Sequence, residues 1–394
     1  MLAYLRPRDR GGAVFARNAA WISLTLAPCV VCRPPAVAPY RRPQLQDIFT
    51  IDKSKLLGAG SAAYVVRAVH KVSGDLVAVK RIRRGMTSYA LKDVRSEIAC
   101  LRALRGQPHI VQLIDDFDDD DETASLVFGL AAHGDLHSYV SAHGPLSEAA
   151  AKHVLHQLVN AVAACHAAGI VHRDIKLENV LVTAIDPTEP WKLTVQLADF
   201  GFAVSARHPL TRQCGTEGYM APEMCAKQSY DTSVDIWSLG VVAYCLLQHA
   251  LPYDGVTFVP APSMNGLSSE AKSFLLSMLQ VDPRQRTAAK DLCSHEWFVD
   301  RVSLARFVQQ LLSFLATHQP LLTTEPARDR AKTSLEGLDW IATCLSSRRV
   351  DMSALSHVVA YVSTTLGELK HDLPFLHGQV SSFVTSFEGI RVVC

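Results

Sequence analysis

The stretch Val171-His172-Arg173-Asp174-Ile175-Lys176-Leu177-Glu178-Asn179-Val180-Leu181, followed by Leu197-Ala198-Asp199-Phe200-Gly201, decides how this chain is read. Its weight depends on what precedes it. Gly58-Ala59-Gly60-Ser61-Ala62-Ala63 is a run without bulk, in which backbone N–H groups can approach an anion closely. Taken alone the run is ambiguous, because a dinucleotide-binding fold also uses such a turn, set between a strand and a helix. Here the β-rich Tyr64-Val65-Val66-Arg67-Ala68-Val69 follows, so the loop bridges two strands. Val77-Ala78-Val79-Lys80 then ends an apolar strand in a lysine, and a buried lysine needs an acidic partner and an anionic ligand. Glu97 can be that partner. Alone, Lys80 would read as a snorkelling lysine and Glu97 as an exposed helix glutamate; their order along the chain favours the pairing.

Further out, strand-like segments are expected at Phe49 to Leu57, Ala62 to His70 and Leu76 to Ile82, and again at His109 to Asp115 and Ala124 to Leu130. Between the two groups, Leu91, Val94, Ile98 and Leu101 recur at helical spacing. The acidic run Asp115 to Glu122 reads as a solvated hairpin turn, since it lacks the Gly-punctuated spacing of a calcium loop. From Leu146 the pattern turns helical, with Val154, Leu155, Leu158, Val159 and Val162 on one face. A sheet-rich lobe thus precedes a larger helical one, joined by a hinge at Leu130 to Asp135 that contains Gly134.

Together with Ala221-Pro222-Glu223, Asp235-Ile236-Trp237-Ser238-Leu239-Gly240 and Arg286, these pieces resemble the eukaryotic protein kinase superfamily, serine/threonine type, over roughly Phe49 to Phe298. The wording is similar to the calmodulin-dependent-kinase-like group, with the autophagy-initiating kinases a near rival through Asp199-Phe200-Gly201-Phe202-Ala203. The resemblance implies an α+β bilobal fold with an antiparallel-sheet N-lobe (47–130) and a helical C-lobe (131–298). It implies transfer of the γ-phosphoryl group of ATP to protein Ser/Thr hydroxyls. Asp174 would accept or orient the acceptor proton, Lys176 would sit near the γ-phosphate, and Asn179 and Asp199 would hold Mg2+. Lys80, held by Glu97, would position the α- and β-phosphates under the loop of Leu57, Gly58, Ala59, Gly60, Ser61, Ala62 and Ala63. Val65, Ala78 and Leu181 would sandwich the adenine, with Phe128 as gatekeeper and Gly129 to Ala131 offering backbone hydrogen bonds. Asp135 would lie at the ribose or bind basic substrate residues, and Glu178 would be a second such acid or a generic one. Glu223 with Arg286, and Asp235 alone, would be scaffold.

Arg173 resembles the arginine that pairs with an activation-segment phosphate in many kinases. Thr216 resembles the family's substrate-loop threonine. Arg212 stands where the usual phosphothreonine would be, leaving Thr211 as the candidate switch. Three departures stand out: Ala62 and Ala63 in the loop, a span from Pro252 to Leu267 that is shorter than the family's, and an enlarged hairpin turn at Val182 to Leu193. A pseudokinase scaffold is the alternative function, set against the presence of Lys80, Glu97, Asp174, Asn179 and Asp199.

The formal charge of +1 gives no global attraction to nucleic acid or anionic membrane, and no apolar run is long enough to span a bilayer. Of ten cysteines, Cys29 and Cys32 form the one close pair and lack two further ligands for zinc. Reduced thiols and a cytoplasmic protein, with nuclear access open and mitochondrial targeting disfavoured, are expected. Residues 1–46 carry seven arginines against Asp9 and read as a disordered basic arm in preference to a transit peptide. After Phe298 the pattern is helical, with Phe307, Val308, Leu311, Leu312 and Leu315 on one face, a break at Gln319 to Asp329, and helices over Thr333 to Leu345 and Met352 to His371. This extension (299–394) is either a regulatory, partner-docking region or packing for the large lobe.

Overall fold

Alternating apolar residues place one face of each early strand inward, and the burial follows that alternation. Val66 and Ala68 are buried in one strand, and Val77 and Val79 in the next. The computed structural model describes residues 43–60, 63–83, 90–118, 123–206, 209–253, 264–298, 301–318 and 325–346. The basic arm up to residue 42, the loop residues Ser61 and Ala62, the tip of the acidic run, residues 254–263 of the shortened span and the helix expected over Met352 to His371 lie outside them.

The first lobe runs from α1 (Leu45–Ile48) through β1 (Phe49–Ala59), β2 (Ala63–His70), β3 (Leu76–Arg83), α2 (Ala90–Ala103) and β4 (Leu113–Asp118) to β5 (Thr123–Gly129). Its five strands form one antiparallel sheet in the order β1-β2-β3-β5-β4. The strand expected from His109 starts instead at Leu113. Ile110 and Val111 are drawn into the large core, where Val111 N donates to Leu197 O at 3.0 Å and Leu197 N to His109 O at 2.8 Å. The chain turns there, with His109 at φ 58°, and only afterwards rejoins the small sheet.

The second lobe comprises α3 (Leu136–His143), α4 (Glu148–Ala167), β6 (Ile170–Val171), β7 (Val180–Ile185), β8 (Leu193–Leu197), β9 (Val204–Ser205), α5 (Pro222–Cys225), α6 (Ser233–Gln248), α7 (Ser269–Met278) and α8 (Ala289–Leu292). From Val234 to Leu247 every residue of α6 is buried, the behaviour of a helix apolar on all sides. Its buried Asp235 accepts from His172 N at 2.9 Å, Arg173 N at 2.8 Å and the His166 ring at 3.0 Å. The buried Glu223 and Arg286 meet through two hydrogen bonds of 2.6 and 2.8 Å. Gln157, polar on the apolar face of α4, donates to Leu193 O and accepts from Val195 N, tying β8 to the helix. The enlarged hairpin turn is organised by Asp186, whose Oδ1 accepts from Thr188 N and Glu189 N.

Two helices follow, α9 (Arg301–His318) and α10 (Glu325–Ser346), packed against each other. The helix expected from Thr333 begins at Glu325, shortening the expected break, because Pro326 falls in the first turn, where a missing N–H costs nothing. Among the described residues no helix is long and apolar enough to cross a membrane.

Candidate active site

Lys80 lies in β3, paired with Val65 of β2 and Leu126 of β5, so its position is fixed from both sides. Its Nζ donates to Glu97 Oε1 of α2 at 2.7 Å and to Asp199 Oδ1 at 2.8 Å. Burial works against the ammonium charge, but the two carboxylates outweigh it and hold the Lys80 pKa above its ordinary value. Lys80 in turn draws the Asp199 carboxyl down to about 2, so it is ionised at neutral pH. Asp199 itself is at φ 58°, ψ 76°, and Gly201 N donates back to its Oδ1 at 3.2 Å. A Cβ on Gly201 would sit 3.1 Å from that oxygen and 3.4 Å from Lys80 Nζ, so the third position of Asp-Phe-Gly leaves room for the ion pair.

Antiparallel pairing of Val180 with Leu197 brings Asn179, just before β7, to the same end of the hairpin as Asp199, just after β8. Asn179 Nδ2 donates to Asp174 O at 2.8 Å and to Asp174 Oδ2 at 3.0 Å, which leaves its amide oxygen as the acceptor end. Asp174 Oδ1 accepts from the Thr216 hydroxyl at 2.7 Å, and that hydroxyl accepts from Lys176 Nζ at 2.7 Å. Lys176 Nζ also lies 3.3 Å from Asp174 Oδ2. The Asp174 carboxylate, Lys176 and Thr216 are therefore one network.

The oxygen donors Asn179 and Asp199 suit Mg2+, which is commonly held by one or two protein oxygens together with substrate phosphates and water. Among the described residues no group of three or more His, Cys, Asp or Glu could hold a metal by itself.

The nucleotide cleft is framed by backbone register. Ala78 pairs with Phe128 and Val77 with Gly129, bringing β3 to the start of the hinge. Gly58 pairs with Val65 and Ala59 with Tyr64 across a register shift, and Gly60 N donates to Ala63 O at 2.8 Å, closing the loop base. On the floor, Leu181 bridges to Asp135, and Val182 N donates to Gly134 O at 2.8 Å. Val65, Ala78, Phe128, Ala131 and Leu181 are half-buried, while Leu57, Gly58, Ala59, Gly60 and Gly129 are exposed. The Asp135 carboxylate caps α3, accepting from Ser138 N at 2.7 Å and Ser138 Oγ at 3.0 Å. Glu178 is exposed.

Ser96 and Tyr230, which act here, carried no sequence motif. Ser96 Oγ of α2 donates to Ala203 O at 3.0 Å, fastening the helix that bears Glu97 to the segment after Asp-Phe-Gly. Phe200 is fully buried against His172, with ring centroids 4.7 Å apart. Arg173 Nε donates to Phe202 O at 2.7 Å and Nη1 to the Tyr230 hydroxyl at 3.1 Å, and that hydroxyl donates to Arg212 O at 2.5 Å. Tyr230 and Leu210 exchange two backbone hydrogen bonds of 2.8 and 2.9 Å. The one general signal for such residues is a polar group amid apolar neighbours, which must find a partner when buried.

The model of the protein kinase domain matches residues 51–298. The chain is 34% identical over 260 residues to a probable myosin light chain kinase of Dictyostelium discoideum, covering 62% of this chain and 65% of that protein. It is 31% identical over 275 residues to the liver/testis isoform of the phosphorylase b kinase gamma catalytic chain of Mus musculus, covering 63% and 66%. To the calcium/calmodulin-dependent protein kinase cmkB of Emericella nidulans it is 33% identical over 280 residues, covering 66% and 68%. The matched stretch is thus just under two thirds of the length of the first two relatives.

Proposed function

The chain belongs to the protein kinase domain family, and from that membership we propose that it is a serine/threonine protein kinase acting in intracellular signalling. The reaction moves the γ-phosphoryl group of Mg-ATP to a protein hydroxyl. The observation that carries the reading is the network around Asp174, where Asn179, Lys176 and Thr216 converge on one carboxylate.

Phosphoryl transfer asks a protein mainly for alignment and for neutralisation of charge. Lys80, fixed by Glu97, presents a cation to the nucleotide phosphates. Asn179 and Asp199 offer the oxygens that would hold magnesium, which neutralises phosphate charge when bound. Asp174, held by Asn179, accepts the hydrogen bond of the incoming hydroxyl in place of Thr216. Lys176 stands beside it to meet the transferring group. A scaffold without turnover would have no need of this whole set in register.

The test is magnesium-dependent transfer of labelled phosphate to generic protein substrates, comparing the native chain with Asp174→Asn. Loss of the base is expected to lower the rate by roughly 10²–10⁴-fold. Equal, near-background signals from both proteins would sink the enzyme reading in favour of the scaffold.

A further inference from the structure

The backbone after Thr216 begins at the point of transfer, since that hydroxyl touches both Asp174 and Lys176. A protein that brings a hydroxyl to Asp174 runs its own chain past the residues that follow, Glu217 to Met220. Those residues are held from beneath. Ser238 Oγ of α6 donates to Tyr219 O at 2.8 Å. Beyond α6, the Tyr253 hydroxyl donates to Gly218 O. The Tyr253 ring lies 5.9 Å from that of Trp237, tilted by 40°.

Gly218 sits at φ +88°, and a Cβ there would come within 3.2 Å of Leu251 Cδ1, so its backbone rests directly on the start of the shortened span. Burial pushes the Tyr253 phenol up to about 12, which keeps it a protonated donor across the working range. Tyr253 reaches the substrate loop through the Gly218 carbonyl.

We propose that Tyr253 is a positioning residue for the protein substrate, its hydroxyl fixing the Gly218 carbonyl and hence the strand along which the acceptor's flanking residues lie. The proposal rests on the protein-kinase reading above and adds the device that secures the substrate loop where the family's longer span is shortened. Its signature is selective: binding of protein substrate weakens while binding and hydrolysis of ATP do not.

Tyr253→Phe keeps the ring on Trp237 and removes only the donor; Ser238→Ala removes the second tie to the same loop. Both are made in the full chain and assayed with a peptide that the native protein phosphorylates in a serine/threonine peptide library. The expected result for each is a KM for peptide raised several-fold, up to about ten-fold, the worth of one buried hydrogen bond. The KM for ATP and the rate of peptide-free ATP hydrolysis stay at the native values. An unchanged peptide KM in Tyr253→Phe, or an ATP KM rising in step with it, overturns the clamp alone. A native chain that hydrolyses ATP but phosphorylates no library peptide overturns the protein-kinase reading, and the clamp with it.

Discussion

Arg173 is only 5% exposed, and its guanidinium already donates to two uncharged acceptors, Phe202 O and the Tyr230 hydroxyl. Tyr230 passes the tie on to the activation segment through Arg212 O and through its backbone pairing with Leu210. The arginine thus ties the segment to the loop that carries Asp174, with its donors already engaged, and Thr211 is exposed. Thr211→Ala is therefore expected to keep the native kcat/KM for peptide, with intact mass spectrometry finding no phosphate on that residue in the active native protein. A large loss of activity in the variant would show that the segment needs the added charge. At this scale the grouping was legible: Lys80, Glu97, Asp174, Asn179 and Asp199 stood out by residue type and order, and the structure brings Lys80 to Glu97 and Asp199, and Asn179 to Asp174. Tyr230 and Ser96 did not stand out, because each matters through a partner far along the chain that no local pattern announces.

Among the elements, α6 shows how packing overrides local preference. Gly240 would be a weakness in an isolated helix, where Ala gains roughly 0.5–1 kcal/mol. Here a Cβ would lie 2.9 Å from both Met278 Cβ and Leu279 Cδ2 at the end of α7, closer than the two elements can accommodate without shifting. Overpacking of that kind costs about 1–3 kcal/mol, so the clash outweighs the helical gain. Gly240→Ala should lower the urea midpoint with an unchanged m-value; a rise in the midpoint would mean that α7 moves away freely. The same competition moved the start of β4. Ile110 and Val111 have strand-like side chains, but the large core claims them first, and a hydrophobic pattern does not say which of two cores will win.

For the molecule as a whole, the large lobe is stapled at one end by Glu148. Its carboxylate accepts from Ser268 N and Ser268 Oγ, each at 2.7 Å, and from the Trp297 indole at 3.2 Å, joining the start of α4 to α7 and to the segment after α8. Burial alone would raise this carboxyl, but the three donors outweigh it and hold its pKa below the ordinary glutamate value. With the folded value the lower one, the stabilisation is complete above the unfolded-state pKa and is lost as pH falls through the folded-state pKa. The native protein should therefore lead Glu148→Gln in urea midpoint near neutrality, and that lead should shrink as the pH falls from about 5 to about 3. A lead that stays constant over this interval would assign the difference to packing and not to charge. Domain order was readable at this scale, since strand-period and helix-period patterns change over near residue 130. The boundary of the C-terminal helices was less so, because a proline that usually breaks a helix also suits its first turn.

The sequence by itself determined the family, the order of the lobes and the candidate residues proposed here for phosphate and metal. Those are properties of residue type and spacing, and each chemical task admits few side chains. Only the tertiary structure decided that Lys80 holds two carboxylates at once, that Arg173 already has its partners, and that the substrate loop leans on Tyr253 and Ser238. The physical reason is that a hydrogen bond depends on ångström-scale approach between segments distant along the chain. That approach is set by how two cores pack, and no single segment encodes it.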